Sequence, residues 1–175
     1  MDKTKQKIAF SFLIAIFLAA FEGVVVSTAA PVIVKSLHNF KMISWIFLFS
    51  FDPQQFSTPI YGKLADLYGR KRIFMIGISI FLFGSLLAGL SQTMHQLIIF
   101  RGIQGIGAGA IFTIGFTMIG DIFTLEERSI IQGAISTIWG IAGLVGPLLG
   151  GFLIDYLSWQ WIFFINIPFG LLSVY

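Results

Sequence analysis

The chain has 175 residues, of which 57% are hydrophobic and 11% charged, and its mean hydropathy is +0.91. A soluble domain has about 25% charged residues, so this composition excludes a water-soluble fold and predicts a protein embedded in the lipid bilayer. The residues behind the net charge of +3 form no basic stripe, which argues against a nucleic-acid surface. The chain has no cysteine and two isolated histidines, so no disulfide, metal site or cofactor is expected.

Six apolar blocks follow one another along the chain, separated by short polar segments. Several blocks approach the ~20 residues that a helix needs to cross the hydrocarbon layer, and the ~10-residue alternation of barrel strands is not seen. We therefore predict an all-α membrane protein in which residues 1–175 form one bundle of five full spans and a partial sixth. The spans are predicted at about residues 8–34, 42–61, 73–90, 97–120, 130–154 and 161–175.

The first block begins behind three lysines, like a secretory signal peptide, but residues 8–34 exceed the roughly 7–15 apolar residues of a signal core. Glu22 lies deep within this block. A carboxylate at that depth is functional by default, and burial disfavours its charged form. The structural alternative is a carboxylate that a neighbouring helix merely neutralises.

The second block has a polar interruption at its centre. Asp52, Pro53, Gln54 and Gln55 stand where a spanning helix is usually apolar. The stretch is either a divergent segment of a cavity or the product of a damaged reading frame, and it predicts an irregular second span.

The segment from Gly62 to Arg72 reads GKLADLYGRKR and is predicted to be a loop between the second and third spans. Glycine permits a tight turn, and Asp66 can accept hydrogen bonds from Arg70 or from helix N-terminal amides. The simpler interpretation is an ordinary basic loop that stays on the cytoplasmic side.

Basic residues indicate how the chain is oriented. Eight Lys and Arg residues fall on the side of the N-terminus and of the Gly62–Arg72 segment, against Lys35 and Lys41 on the other. Because short basic loops resist translocation, the N-terminus is predicted to be cytoplasmic, with Trp159 and Trp161 at the opposite interface.

The fourth block carries Arg101 and Gln104 among closely spaced glycines. An unpaired arginine inside a span costs at least ~2.5–3.5 kcal/mol, so Arg101 is expected to face a cavity and a partner. The alternative is an arginine that snorkels to the outer headgroups.

The fifth block contains a run of small residues and one proline. Proline removes a backbone donor and flanking glycines permit a bend and close helix contact. The residues of this pattern are Gly133, Gly146, Pro147, Gly150 and Gly151, with Ala142 between them.

An internal repeat links the two halves of the chain. Residues 62–74 and 151–163 share Gly, Leu, Asp, Ile and Phe at the same offsets. An odd number of spans separates the copies, which is what an inverted repeat of three plus three spans produces.

These motifs together resemble the major facilitator superfamily. GKLADLYGRKR is similar to its signature segment between the second and third spans, although Leu67 replaces a frequent basic residue, and RGIQG at 101–105 is similar to its proton-coupling motif. The fifth-block pattern resembles the motif of exporters that run as antiporters, with Ala142 for one glycine. The stretch around Glu22, which usually has aspartate, and WQWIFFINIPFG at 159–170 resemble the fourteen-span drug:proton antiporter family.

The resemblance implies the first six-helix bundle of a proton-coupled multidrug exporter in the cell membrane. Its central cavity would be faced by Glu22, Arg101 and Gln104, and its conformational switch would use Gly62, Asp66, Gly69, Arg70, Lys71 and Asp121. The expected partners are the lipid bilayer, protons, a lipophilic small molecule for which a cation is one candidate, and a missing C-terminal half.

Two alternatives stay open at this point. One is an importer of a sugar or metabolite with the same fold, and the other is a truncated remnant that does not transport. An enzyme is not expected, because no nucleophile, base and acid are grouped.

Overall fold

The computed structural model describes residues 3–173, and these form a bundle of helices. Five of the helices are long, and two short ones follow at the end. A single 3₁₀ turn at Phe40–Met42 precedes the second helix. The helices are α1 (Lys3–Ser36), α2 (Ile43–Tyr68), α3 (Arg70–Gly89), α4 (Met94–Ile122), α5 (Leu125–Tyr156), α6 (Trp161–Phe164) and α7 (Asn166–Ser173).

Four of the described helices are long and apolar enough to cross a membrane: α1, α3, α4 and α5. Helix α2 has 26 residues, but Asp52, Pro53 and two glutamines interrupt its apolar sequence. The sixth predicted span is shorter and is divided into α6 and α7 at Ile165. The last two residues of that predicted span, Val174 and Tyr175, lie outside the described residues.

The segment predicted as a loop from Gly62 to Arg72 is mostly helical, and that prediction was wrong. Helix α2 continues to Tyr68, and Gly69 with φ of 90° connects it to α3. The helix extends past the apolar block because Ala65 is buried in the apolar interior. Glycine alone adopts this backbone conformation without steric cost.

The stretch from Asp52 to Gln55 was predicted to be irregular, and it is helical. Pro53 has no backbone N–H to donate, but the turn around it is reinforced from the side chains. Ser57 and Thr58 both donate hydroxyl hydrogen bonds to the carbonyl of Gln54, each at 3.0 Å.

Helix α4 lies between α2 and α3, and α1 packs against α5. The buried apolar side chains form two clusters, one toward each end of the bundle. The first includes Phe12, Ile16, Phe74, Ile111 and Phe123, and the second includes Phe21, Ile33, Ile46, Leu97 and Phe163. On α4 the clusters leave a gap between Ile98 and Ala108, which contains Arg101 and Gln104.

The two ends of the bundle differ in chemistry. At one end, here called the basic end, Lys5 pairs with Glu127 and Arg70 with Asp121. At the other, Trp159 donates its indole hydrogen bond to Ser36 Oγ at 3.2 Å. The first copy of the repeat contains Arg70 and the second contains Trp159, so the copies lie at opposite ends, as an inverted repeat requires.

Candidate functional site

Three polar side chains meet inside the bundle between the two apolar clusters. Arg101 Nη1 donates a hydrogen bond to Gln104 Oε1 at 2.9 Å, and Gln104 Nε2 donates one to Glu22 Oε2 at 2.6 Å. Arg101 Nη1 also forms an ion pair with Glu22 Oε1. The three residues, here called the polar layer, are 3% (Glu22), 5% (Arg101) and 2% (Gln104) exposed.

The sequence of α4 explains half of this arrangement. Residues three apart in a helix lie on the same face, so Arg101 and Gln104 point together toward α1. Gln104 then uses both ends of its amide, accepting from the guanidinium and donating to the carboxylate. The polar layer therefore ties α4 to α1 through two independent contacts with Glu22.

Arg101 points into the bundle, so snorkelling does not describe it. Its guanidinium is compensated by the carboxylate of Glu22, and the ring centroid of Phe163 lies 5.7 Å from its Cζ. Removing one partner of a buried ion pair leaves an uncompensated charge, which is far more costly than an exposed one. The charge state of Glu22 and the position of Arg101 are therefore coupled.

A small cavity of about 50 Å³ lies beside the polar layer. Its walls come from α1, α2 and α4 and from one residue of α3. It is lined by Ala19, Glu22, Gly23, Ser50, Phe51, Gln54, Phe81, Arg101, Gln104, Gly105, Ala108 and Phe112. Drug-sized ligands occupy pockets of roughly 300–1,000 Å³, so in this conformation the cavity has room for water but not for a drug-sized molecule.

The residues of the predicted switch are only partly brought together. Arg70 Nη1 pairs with Asp121 and donates to the carbonyl of Thr117 at 2.8 Å. The predicted hydrogen bond between Asp66 and Arg70 is not among the contacts of the described residues, and Asp66 and Lys71 are exposed. Arg70 turns toward α4 because it begins a new helix after Gly69.

A second ion pair at the basic end was missed from the sequence. Glu127 Oε2 accepts from Lys5 Nζ at 3.0 Å and from the backbone N–H of Thr124 at 3.1 Å. Thr124 accepts in return from the N–H of Glu127, which completes a capping box at the start of α5. The T-x-x-E spacing signals this cap, but nothing local in the sequence points to Lys5.

A larger cavity of about 470 Å³ also lies at the basic end, between α1, α3 and α4, and Ser173 at the end of α7 completes its lining. Phe12, Phe74 and Met118 contribute to its apolar wall, and Arg70 and Asp121 lie at its edge. It shares no lining residue with the small cavity, so it is separate from the polar layer.

The fifth-block motif splits between two faces of α5. Gly146 lies against Val24 and Gly150 against Val25, close to Glu22 on α1. Gly133 and Gly151 have open space around them, and Pro147 is exposed. Two of the motif residues thus bring α5 onto α1, and the others face away from the described chain.

Residues 12–175 match the sequence profile of the Major Facilitator Superfamily. The chain belongs to this superfamily. Multidrug resistance protein 3 of Bacillus subtilis (strain 168) is 42% identical over 181 residues, covering 100% of this chain and 35% of that protein. The multidrug transporter protein MdtP of the same organism is 41% identical over 162 residues, covering 93% of this chain and 30% of that protein.

Among solved structures, a D-xylose-proton symporter matches with a TM-score of 0.81 over 96% of this chain and 46% of its own. The sequence identity is 15%, so this likeness shows the fold alone. The expectation of a partial major facilitator fold is confirmed, and this superfamily member is a multi-pass membrane protein. It spans about a third of the length of the two Bacillus relatives.

Proposed function

We propose that this chain is the N-terminal bundle of a proton-coupled multidrug exporter of the fourteen-span drug:proton antiporter family. The observation that carries the proposal is the buried contact of Glu22 with Arg101 and Gln104. The similarity to a multidrug resistance protein and a multidrug transporter of Bacillus subtilis supports the substrate class.

The polar layer holds the proton-binding group. With Arg101 against it, the carboxylate of Glu22 is compensated and stays ionised. When the helices rearrange and the guanidinium recedes, an isolated carboxylate in a poorly solvated site takes up a proton. One proton bound in one conformation and released in the other couples its movement to that of the substrate, as linkage requires.

The exchange suits a lipophilic cation as the outgoing substrate. A cation that approaches Glu22 offers the same electrostatic compensation as Arg101 and displaces the proton, so the site carries either the proton or the cation. The 50 Å³ cavity is too small for such a molecule. The substrate therefore occupies a larger space that opens when the bundle rocks against a second bundle.

That second bundle is the proposed partner, and the exposed faces of α2 and α5 indicate where it packs. Asp52 and Gln55 on α2 are exposed at the level of the polar layer, where lipid is an unfavourable neighbour for a carboxylate. On α5, Gly133, Gly140 and Gly143 have no neighbour that a side chain would meet. Small residues of this kind permit close helix contact.

The Arg70–Asp121 pair is the proposed switch between the two conformations. It joins α3 to α4 at the basic end, which we place on the cytoplasmic side of the plasma membrane because of its lysines and arginines. Breaking it removes one of the contacts that join α3 to α4 at the basic end and leaves the polar layer unchanged.

The proposal is tested with Glu22→Gln in the whole transporter, assayed as efflux driven by a pH gradient. Glutamine keeps the size and the hydrogen bonding but cannot exchange a proton, so we expect efflux to be abolished while the protein remains inserted. Glu22→Asp should keep partial activity. Glu126→Gln serves as the matched control, since Glu126 is an exposed carboxylate at the start of α5.

A Gln variant that pumps at the parental rate with an unchanged pH profile would reduce Glu22 to a structural role, and Asp66 or Asp121 would be tested next.

The direction of transport is measured in vesicles of known orientation. Net uptake of a sugar or metabolite would favour the importer interpretation.

A further inference from the structure

A buried polar cluster holds α6 against α3, next to the polar layer. Ser85 Oγ donates a hydrogen bond to the backbone carbonyl of Phe163 at 2.9 Å. Asn166 Nδ2 donates one to Ser85 Oγ at 2.9 Å. Ser85, Phe163 and Asn166 are each 0% exposed, so no solvent competes for these bonds.

The break in the sixth span explains why this cluster is needed. Helix α6 ends at Phe164 and α7 begins at Asn166, so Phe163 lies in a last turn, where helix carbonyls lack their regular intrahelical partners. The N–H of Ile165 is directed to the carbonyl of Phe163, which can accept from a second donor. Ser85 supplies one. The backbone of Phe163 is thus fixed from α3 rather than by a continuous helix.

The ring of Phe163 is the part of α6 that faces Arg101. Its centroid lies 5.7 Å from the guanidinium carbon, within the range of a cation–π contact. Trp159 packs on the same ring in a T-shaped arrangement, with centroids 6.2 Å apart and planes at 89°. Phe163 is therefore held at its backbone carbonyl by Ser85, and its ring is in contact with Trp159.

The ring matters for the position of Arg101 because the other contacts of the guanidinium hold only one of its nitrogens. The contacts to Glu22 and Gln104 both use Nη1, and the buried Nε has no hydrogen-bond partner among the described residues. A guanidinium held at one nitrogen can swing away from the carboxylate. The ring of Phe163 limits that swing.

We propose that Phe163, held in place by Ser85 and Asn166, is a positioning residue that sets the pH dependence of the proton site through Arg101. This rests on the proposed function of Glu22. Arg101 is the one charged residue among those that line the small cavity with Glu22.

The other helices that pack on α1 add no charged group there. On α5 the charged residues lie at its two ends, 126–128 and 155, and residues 161–173 of α6 and α7 carry none. On α2, exposed Asp52 is not a lining residue. The contact between Phe163 and Arg101 is therefore free of competing charges.

The test compares Phe163→Leu with Phe163→Trp in the whole transporter, with efflux measured across a range of pH. Leucine fills the space but has no ring, so Arg101 is held less firmly and Glu22 keeps its proton to higher pH. We expect the pH profile to shift to the alkaline side by about half a unit or more. Tryptophan keeps a ring face and should restore the parental profile.

Ser85→Ala and Asn166→Ala should shift the profile in the same direction, because each loosens the anchor of Phe163. Ser91→Ala is the matched control: Ser91 is a buried serine near the end of α3 that also bonds a carbonyl, that of Ala88, at 2.7 Å. We expect it to leave the profile unchanged.

The outcomes separate this proposal from the proposed function. If Glu22→Gln abolishes proton-driven efflux but the Phe163, Ser85 and Asn166 variants keep the parental pH profile, Phe163 is packing only and this proposal fails alone. An unchanged Glu22→Gln variant overturns the proposed function instead. If Ser91→Ala shifts the profile as far as Ser85→Ala does, the effect is general to buried serines in and near α3 and the positioning role is rejected.

Discussion

The chain uses ion pairs in two regions that differ mainly in their contact with solvent. In the polar layer the side chains of Arg101 and Glu22 are 6% and 4% exposed. At the basic end those of Arg70 and Asp121 are 30% and 53% exposed. Exposed pairs contribute about 0–1 kcal/mol and are screened by salt, whereas breaking a buried pair costs several times more.

The difference suits the two regions to different tasks. An exposed pair can open and close in each cycle of the proposed transport at little cost, because water replaces each partner. A buried pair can part only if a proton or another cation takes over the compensation of Glu22. The comparison therefore predicts that the polar layer is coupled to protons and the basic end to conformation.

The largest effect is expected from breaking the buried pair on one side. Arg101→Ala leaves the carboxylate of Glu22 without its counter-charge and should lower the free energy of unfolding by about 3–5 kcal/mol. The measurement is thermal or denaturant unfolding of the detergent-solubilised transporter. The double variant Glu22→Leu with Arg101→Met should recover most of the loss, and a double variant as unstable as Arg101→Ala would contradict this account.

An intermediate effect is expected from disturbing the polar layer without changing its charges. A Cβ added at Gly84 would lie 2.6 Å from the backbone nitrogen of Gln104, so Gly84→Ala must push α3 away from α4. The expected loss is about 1–3 kcal/mol. Gly133→Ala is the control, because that glycine faces open space. Equal unfolding midpoints for the two variants would show that α3 and α4 are less tightly packed than described.

The smallest effect is expected at the basic end. Asp121→Asn removes one partner of the exposed pair and should cost about 1 kcal/mol or less, with the difference shrinking further as ionic strength rises. Unfolding at low and high salt measures this directly. A loss as large as that of Arg101→Ala, insensitive to salt, would erase the distinction between the two regions.

Much of this arrangement could be predicted from the sequence, since the apolar blocks indicate the helices and the depth of Glu22 in the first block marks it as buried. For Arg101 the sequence left two positions open, a cavity and the outer headgroups. The spacing of Arg101 and Gln104 places both on one face. The contact of Gln104 with Glu22, 82 residues away, depends on how α1 packs against α4, and no local pattern encodes that.

Two features of the structure could not be predicted from the sequence, for different physical reasons. The predicted second span ends before α2 does, because the last turns of α2 are polar but helical. Hydropathy indicates which residues lie in the bilayer, not where a helix ends. The anchoring of Phe163 by Ser85 and Asn166 was missed because a buried serine or asparagine looks like any small polar residue until its partner is known.

The connection between α2 and α3 consists of Gly69 alone. Two backbone torsions therefore determine the angle between these helices, and no slack exists to absorb a rotation of α2. Any turn of α2 about its own axis must move Arg70, the next residue, and with it the contact to Asp121. A rotation of α2 caused by the proposed second bundle is therefore transmitted through Gly69 to the Arg70–Asp121 ion pair at the basic end.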